Sequence, residues 1–186
     1  IASDALFFRD FKSITVTDLT VQQCKYGFYP RDCDKVVLDR VRFLNCGSVG
    51  TPATHNLSGT QSYQAAQWAS ANTSNGGAMR VRGVDEVVIQ NCQVDWCLRG
   101  LRIQDCGDND KTSLVQNNKV FRTLESGIYL AAGSYTGADG CSNFLVSDNL
   151  IYEAFNNSIL SIGGNNNTFS NNTCMNGANS GIMVWH

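Results

Sequence analysis

Short runs of alternating apolar and polar residues recur along the whole chain. The segment Val87 to Cys106, VVIQNCQVDWCLRGLRIQDC, shows the unit clearly. One run contains Val87 and Ile89, a shorter run follows, and Gly100 precedes a third run, LRI. Alternation with a period of two over so few residues predicts short strands with one buried face, not helices.

The unit of three short strands repeats at a nearly constant spacing. Apolar positions of the first strand form one series: Val16, Leu38, Ile89, Val115, Val146 and Phe169. The third strand provides another series: Leu6, Phe28, Met79, Leu101, Ile128, Ile159 and Ile182. Members of the first series lie 22, 51, 26, 31 and 23 residues apart, and only the interval of 51 requires a long insertion. This repeat predicts a solenoid whose coils stack strand on strand.

The predicted fold is an all-β, right-handed, single-stranded parallel β-helix of about six to seven coils, each of roughly 22–31 residues. One domain spans residues 1–186, and residues 47–77 form an inserted surface loop rich in Ser, Thr, Asn and Gly. We expect this loop and a shorter insertion, 133–140, to wall a groove along the third strand. Neither end has a polar cap, which predicts a fragment of a longer chain or ends that pack in an oligomer.

Small and polar residues support the same register. Only small residues precede the third strand: Ala5, Gly27, Ala78, Gly100, Gly127, Ser158 and Gly181. They suit a sharp turn or close stacking of backbones. Another series lies two residues after the first: Asp18, Arg40, Asn91, Asn117, Asp148 and Asn171. We expect its Asn side chains to hydrogen-bond along a ladder of stacked coils.

The composition excludes several classes of function. The net charge is only −2, so the chain has no overall attraction for nucleic acid, and no apolar run is long enough to insert into a membrane. The eight cysteines exchange places with apolar residues in the repeat, as Cys24, Cys46 and Cys97 illustrate, which predicts small buried side chains. Free thiols favour synthesis in a reducing cytoplasm. A disulfide between adjacent coils remains an alternative.

The outward side of the third strand carries the candidate binding residues. They are arginines and tyrosines in successive coils: Tyr29, Arg31, Arg80, Arg82, Arg102 and Tyr129. Trp68, in the long insertion, is a further candidate. Guanidinium groups match carboxylates bidentately and aromatic faces stack on sugar rings, so this pattern favours an acidic polysaccharide. The alternative is that Arg and Asp of successive coils pair and only keep the surface soluble.

Four carboxylates are candidates for catalysis: Asp105, Asp32, Asp85 and Glu125. Glycoside hydrolysis requires two carboxylates about 5 to 9.5 Å apart, which coils about 4.8 Å apart can supply. β-Elimination of a uronate by an arginine is the alternative. No cofactor or metal is predicted beyond a calcium candidate at Asp108 and Asp110, where a polar turn also accounts for the sequence.

The repeated pattern VVIQNC, followed by GLRI, GIYL and GIMV, resembles the right-handed β-helix repeat of the pectate-lyase-like superfamily over nearly the whole chain. That superfamily includes pectate lyases, polygalacturonases, alginate epimerases and bacteriophage tailspikes. The paired-Asp motif of polygalacturonases, the Asp-Pro-His-Glu motif of epimerases and the arginine motif of pectate lyases are not found. No catalytic residue is therefore carried over.

Among these relatives the chain is most similar to a tailspike. The resemblance implies a homotrimer of the virion tail, made in the host cytoplasm, that binds and in many cases cleaves a bacterial surface polysaccharide. Free cysteines and uncapped ends agree with it. Two alternatives stay open: a secreted polysaccharide lyase or C5-epimerase, and a non-catalytic β-helical shaft or adhesin at a cell surface.

Overall fold

The computed structural model describes residues 4–47, 76–107, 110–132 and 140–185. Both predicted insertions, and Trp68 with them, fall largely or wholly outside these residues. Within the described ranges the chain forms β-strands and no helix. The strands are β1 (Leu6–Arg9), β2 (Ser13–Thr17), β3 (Thr20–Gln22), β4 (Tyr26–Asp39), β5 (Arg42–Leu44), β6 (Gly77–Gln90), β7 (Gln93–Asp95), β8 (Leu101–Gln104), β9 (Ser113–Gln116), β10 (Lys119–Phe121), β11 (Ile128–Ala131), β12 (Phe144–Ser147), β13 (Leu150–Tyr152), β14 (Asn157–Ile162), β15 (Thr168–Ser170), β16 (Thr173–Met175) and β17 (Ser180–Trp185).

The strands pair in parallel from one coil to the next. One sheet carries the first and third strands of the coils and follows the order β15-β12-β9-β6-β8-β11-β14-β17. In the same sheet, β4 pairs with β6, and β1 and β2 pair with β4. The other sheet carries the second strands in the order β16-β13-β10-β7-β5-β3. Apart from the strands at the ends of the sheets, each strand therefore lies between its equivalents in the preceding and following coils. The predicted right-handed parallel β-helix is confirmed.

The predicted apolar series are rows of directly paired residues. In the first-strand row, Leu38 pairs with Ile89 and Ile89 with Val115. In the third-strand row, Met79 pairs with Leu101. All five side chains are fully buried in one continuous core. Burial of each such side chain stabilises the fold by about 1.5–3 kcal/mol, so the alternation seen in the sequence fixes which face of every strand points inward.

The separation into three short strands is wrong for two coils. In β4 and β6, each of 14 residues, the third strand of one coil continues into the first strand of the next without a break. Asp32 in β4 and Gly83 in β6 have φ angles of 53° and 59°, which bend the chain there. Because the bend takes one residue, interstrand pairing continues on both sides of it.

The polar series two residues after the first row lies at a left-handed turn. Its six members have φ angles between 51° and 56°, a region that Asn and Asp tolerate better than other non-glycine residues. Arg40, the exception in residue type, donates two hydrogen bonds to Asp18, of 2.7 and 2.8 Å. The expected side-chain ladder is present between Asn117 and Asn91, where Nδ2 donates to Oδ1 over 2.5 Å. Turn geometry, more than the ladder, explains the composition of this series.

A buried asparagine ladder, which the sequence analysis missed, lies one residue further along. Asn149, 1% exposed, donates through Nδ2 to the carbonyl of Val115 over 2.8 Å and to Oδ1 of Asn172 over 2.9 Å. Its own Oδ1 accepts from the backbone N–H of Asn118 over 3.0 Å. Asn118 repeats the arrangement by bonding the carbonyl of Ile89. The ladder satisfies backbone groups where the turn interrupts the strand pairing.

The cysteines are small buried side chains, as predicted. All eight are free thiols, and all but Cys174 are buried. Cys24 and Cys46 stack in adjacent coils with their Sγ atoms 3.4 Å apart. Burial raises the pKa of the Cys92 thiol to about 11, so this side chain is a neutral thiol at pH 7. These residues fill the core and are poor nucleophiles.

Close stacking of the small residues predicts a sharp contrast between two substitutions in one series. A Cβ at position 100 would lie 2.0 Å from the backbone oxygen of Gly127, whereas a Cβ at position 181 would meet Cys174 at an ordinary 3.7 Å. We expect Gly100→Ala to lower the free energy of unfolding by about 3 kcal/mol and Gly181→Ala to change it by less than about 1 kcal/mol. Urea unfolding followed by circular dichroism measures both. Equal effects would contradict close backbone contact at position 100.

The buried ladder predicts a second contrast. Asn149→Ala leaves a buried N–H and a buried carbonyl without partners, which we expect to lower the free energy of unfolding by about 3 kcal/mol. Asn165→Ala removes an exposed side chain and should cost less than about 0.5 kcal/mol. The same urea titration compares the two variants. An Asn149→Ala protein as stable as the Asn165→Ala control would rule out the ladder as a source of stability.

Candidate functional site

One outward row of the third strand brings four predicted binding residues together. Tyr29, Arg80, Arg102 and Tyr129 occupy equivalent positions on β4, β6, β8 and β11, and we call them the arginine–tyrosine row. The guanidinium of Arg80 lies 5.5 Å from the ring centre of Tyr29, and that of Arg102 lies 5.5 Å from the ring centre of Tyr129. These cation–π contacts hold each guanidinium against an aromatic face and orient it along the sheet.

A neighbouring row contains the other predicted arginines, but they lie beside carboxylates. Arg31 pairs with Arg82 across β4 and β6; Arg31 is followed by Asp32 at the bend, whereas Arg82 is followed by Gly83. The Nε atom of Arg31 lies 3.1 Å from Oδ2 of Asp32, and Nε of Arg82 lies 3.4 Å from Oδ2 of Asp105. For this row the alternative interpretation applies, because surface pairs of this type mainly balance charge.

The arginine–tyrosine row, in contrast, carries charge that no carboxylate of the described residues contacts directly, although Glu125 attracts Arg102 from a greater distance. Nε of Arg80 donates to the side-chain oxygen of Gln104 over 2.9 Å, a neutral partner. Nε of Arg102 is buried without a hydrogen-bond partner. Within the described residues neither arginine forms an ion pair. Burial, together with the positive charges of Arg99 and Arg80, lowers the pKa of Arg102. An anion at this position would accept a hydrogen bond from Arg102 and would reduce the repulsion between the positive charges.

Arg99 adds a further buried cation that the sequence analysis did not identify. Arg99 is 8% exposed and donates to both carboxylate oxygens of Glu125 over 2.6 and 2.8 Å. Burial disfavours the charged form and by itself would lower the pKa of Arg99. The hydrogen bonds and the attraction to Glu125 outweigh burial, so the pKa of Arg99 is raised. The sequence signal was available: Arg99 and Glu125 lie 26 residues apart, the same interval as Ile89 and Val115 in the repeat.

Two polar atoms beside this ion pair have no hydrogen bond of ordinary geometry, although attraction between Arg99 and Tyr26 contributes to the raised pKa of Arg99. They are Nη1 of Arg99 and the hydroxyl oxygen of Tyr26, which is 2% exposed. The ring of Tyr26 lies 5.3 Å from that of Tyr29, at the start of the arginine–tyrosine row. Because Tyr26 interacts with both Arg99 and Tyr29, it links the buried ion pair to the arginine–tyrosine row.

The structure separates the four predicted catalytic carboxylates. Asp32 and Asp105 occupy equivalent turns on either side of Gly83, with side chains 42% and 31% exposed. Two coil spacings put their backbones about 9.6 Å apart, near the upper limit for glycoside hydrolysis with inversion. Asp85 is exposed beyond the bend of β6. Glu125 is bound to Arg99 as a structural partner.

Of the two residues of the predicted calcium site, the structure describes Asp110, whereas Asp108 lies outside the described residues. In the described part of the chain, no group of three or more His, Cys, Asp or Glu side chains is arranged to hold a metal ion. None of its segments forms a helix long and apolar enough to cross a membrane.

Comparison with known proteins agrees with the architecture. A family model described as a right-handed beta helix region matches residues 4–186. No curated protein and no solved structure gives a significant match to the chain. Since this fold hosts several unrelated activities, the match identifies the architecture but does not identify a reaction. With this match and with parallel coils stacked in register throughout the described residues, the chain belongs to the right-handed beta helix family.

Proposed function

We propose that the third-strand face binds an acidic bacterial surface polysaccharide, with Arg102 and Arg80 as its main anion-binding residues. The observation that carries this proposal is the pair of guanidinium groups that are held on tyrosine rings and have no carboxylate partner among the described residues. Half-buried arginines without counter-charges are costly unless a ligand supplies the charge. A sugar carboxylate supplies it bidentately.

The shape of the face suits a polymer. The arginine–tyrosine row runs along the stacking axis over four coils, and equivalent residues recur about every 4.8 Å. Tyrosine side chains offer an apolar ring that packs on a sugar face and a hydroxyl that hydrogen-bonds to it. A chain of sugars laid along the row would therefore meet two adjacent cationic contacts with an aromatic contact on either side.

Recognition of a host surface, as by a phage tailspike, is the biological setting we favour for this binding. The resemblance of the repeat and the free, buried thiols support it, since a virion protein is made in a reducing cytoplasm. A homotrimer on the virion tail belongs to the same proposal. A secreted lyase or epimerase, or a shaft without a binding face, would replace it if the experiments below give the contrary results.

Cleavage of the polysaccharide is the second part of the proposal. Asp32 and Asp105 are the carboxylate pair with suitable spacing, and Oδ1 of Asp32 lies close over Gly83, where a Cβ would approach it to 2.9 Å. Both carboxylates also contact arginines. The contacts of this face therefore support binding more directly than hydrolysis.

The binding proposal predicts that the two arginine rows differ. We expect Arg102→Gln to weaken binding of an acidic bacterial polysaccharide by about 10- to 100-fold, because a charge-assisted hydrogen bond contributes roughly 1.5–3 kcal/mol. Arg82→Gln, whose charge is balanced by Asp105, should change it by about two-fold at most. Isothermal titration calorimetry with a panel of capsular and lipopolysaccharide glycans measures both.

The matched ligand for this test is the same polymer after reduction of its carboxylates to alcohols. The proposal requires the reduced polymer to bind the native protein weakly and to bind the Arg102→Gln variant equally weakly. If the reduced and acidic polymers bind alike, or if no polymer of the panel binds, the arginine–tyrosine row does not recognise acidic sugars and the shaft interpretation is favoured.

The cleavage proposal predicts new reducing ends when the bound polymer is incubated with the native protein. We expect Asp105→Asn to slow their release by about 100-fold or more while binding is retained, since loss of general acid–base catalysis costs about 10²–10⁴ in rate. Absorbance of unsaturated uronates, measured in parallel, identifies a lyase. Binding without either product would show a recognition module and would contradict a catalytic role for Asp32 and Asp105.

A further inference from the structure

A groove lies on a different side of the coil from the arginine–tyrosine row, at the turn between the first and second strands. Its volume is about 380 Å³, and we call it the turn groove. Its lining consists of Arg40, Arg42, Asn91, Cys92, Gln93, Asn117 and Lys119. These residues come from equivalent positions on three successive coils, at the ends of β4, β6 and β9 and the starts of β5, β7 and β10.

The groove exists because side-chain length alternates along the row. Arg42 pairs with Gln93 across β5 and β7, and Gln93 pairs with Lys119 across β7 and β10. The two outer coils carry long cationic side chains, whereas the middle coil carries the shorter Gln93 and Asn91. The outer side chains therefore stand on both sides of a hollow whose floor is the middle coil.

The charges around the hollow are unequal. Arg40 is neutralised, since it donates two hydrogen bonds to Asp18 and a further one to Asp39. Arg42 and Lys119 are exposed, and within the described part of the chain neither has an ion-pair partner. With Asp39 and Asp18 already engaged by Arg40, the rim carries two uncompensated positive charges.

The two cations can act on one ligand. Their backbones are two coils apart, about 10 Å, which the flexible side chains of an arginine and a lysine can span from both sides. The amide of Gln93 lies between them, and Asn117 uses one N–H to bond Asn91, so that its second is available to a ligand. Cys92 lies beneath as a neutral thiol, because burial raises its pKa to about 11.

We propose that the turn groove binds a doubly charged oxyanion of the phosphate or sulfate class between Arg42 and Lys119, with the Gln93 amide as a neutral donor. Two uncompensated cations match a divalent group better than a single carboxylate, because the Coulomb attraction scales with the ligand charge. The ion can be free or carried as an ester on a sugar. This site is independent of polysaccharide binding at the third-strand face.

The test is an NMR titration of the ¹⁵N-labelled protein with inorganic phosphate, inorganic sulfate and acetate at constant ionic strength. Saturable shifts of the Gln93 and Asn117 side-chain amides with the divalent ions, and weaker ones with acetate, are expected. Arg42→Gln and Lys119→Gln should each raise the dissociation constant by about three- to five-fold, the size expected for one exposed charge contact. Both replaced side chains are exposed, so the variants should fold normally.

Two control variants separate this site from non-specific charge effects and from the third-strand face. Lys111→Gln removes an exposed cation elsewhere, and Arg102→Gln removes an anion-binding residue of the third-strand face; both should leave the phosphate-induced shifts of the Gln93 and Asn117 side-chain amides unchanged. The proposal is overturned if the amide shifts do not saturate, if acetate binds as tightly as phosphate, or if Lys111→Gln weakens binding as much as Lys119→Gln.

A sugar phosphate distinguishes the sources of the anion. Tighter binding than inorganic phosphate, lost in Arg42→Gln, would support an esterified ligand in which the sugar adds contacts to the groove. Equal binding, lost in the same variant, would support recognition of the ion alone. Binding of the sugar phosphate that survives both Arg42→Gln and Lys119→Gln would contradict the site.

Discussion

Parallel hydrogen bonding between successive coils, in constant register, is the constraint on which the whole molecule depends. Because each coil lies directly on the last, every position in the repeat becomes a row with a spacing of about 4.8 Å. An apolar position becomes a strip of core, as in Leu38, Ile89 and Val115. A small position allows backbones to approach, as at Gly100 over Gly127, and an asparagine position becomes a ladder.

The same constraint shapes the surface chemistry. A residue that recurs on the outside of the coil meets its own equivalents above and below, so charges are either balanced within a row or accumulate along it. Arg82 is balanced by Asp105, whereas Arg80 and Arg102 stack on tyrosines without an ion-pair partner among the described residues. Arg42 and Lys119 accumulate charge in the same manner at the turn. Local neutralisation, not the number of arginines, therefore separates structural cations from candidate binding residues.

Much of this architecture was predictable because it depends on which residue type occupies each repeated position. The apolar rows and the small residues before the third strand lie where their periodicity predicted. The buried ladder of Asn118 and Asn149 was missed because it lies one residue from a more conspicuous polar series whose members occupy left-handed turns. Asn is common in both settings, so sequence alone did not separate them.

Sequence by itself determined the stacking register and hence the composition of each row, since alternation and spacing are local properties of the chain. Only the tertiary structure decided which charged side chains have an ion-pair partner and which do not. Whether Arg31 contacts Asp32, Arg99 takes Glu125 from the next coil, or Arg102 keeps an unpartnered Nε depends on side-chain directions and distances between coils. Those distances are set by packing across residues far apart in the chain, and electrostatic attraction varies too steeply with distance and burial for a linear pattern to specify it.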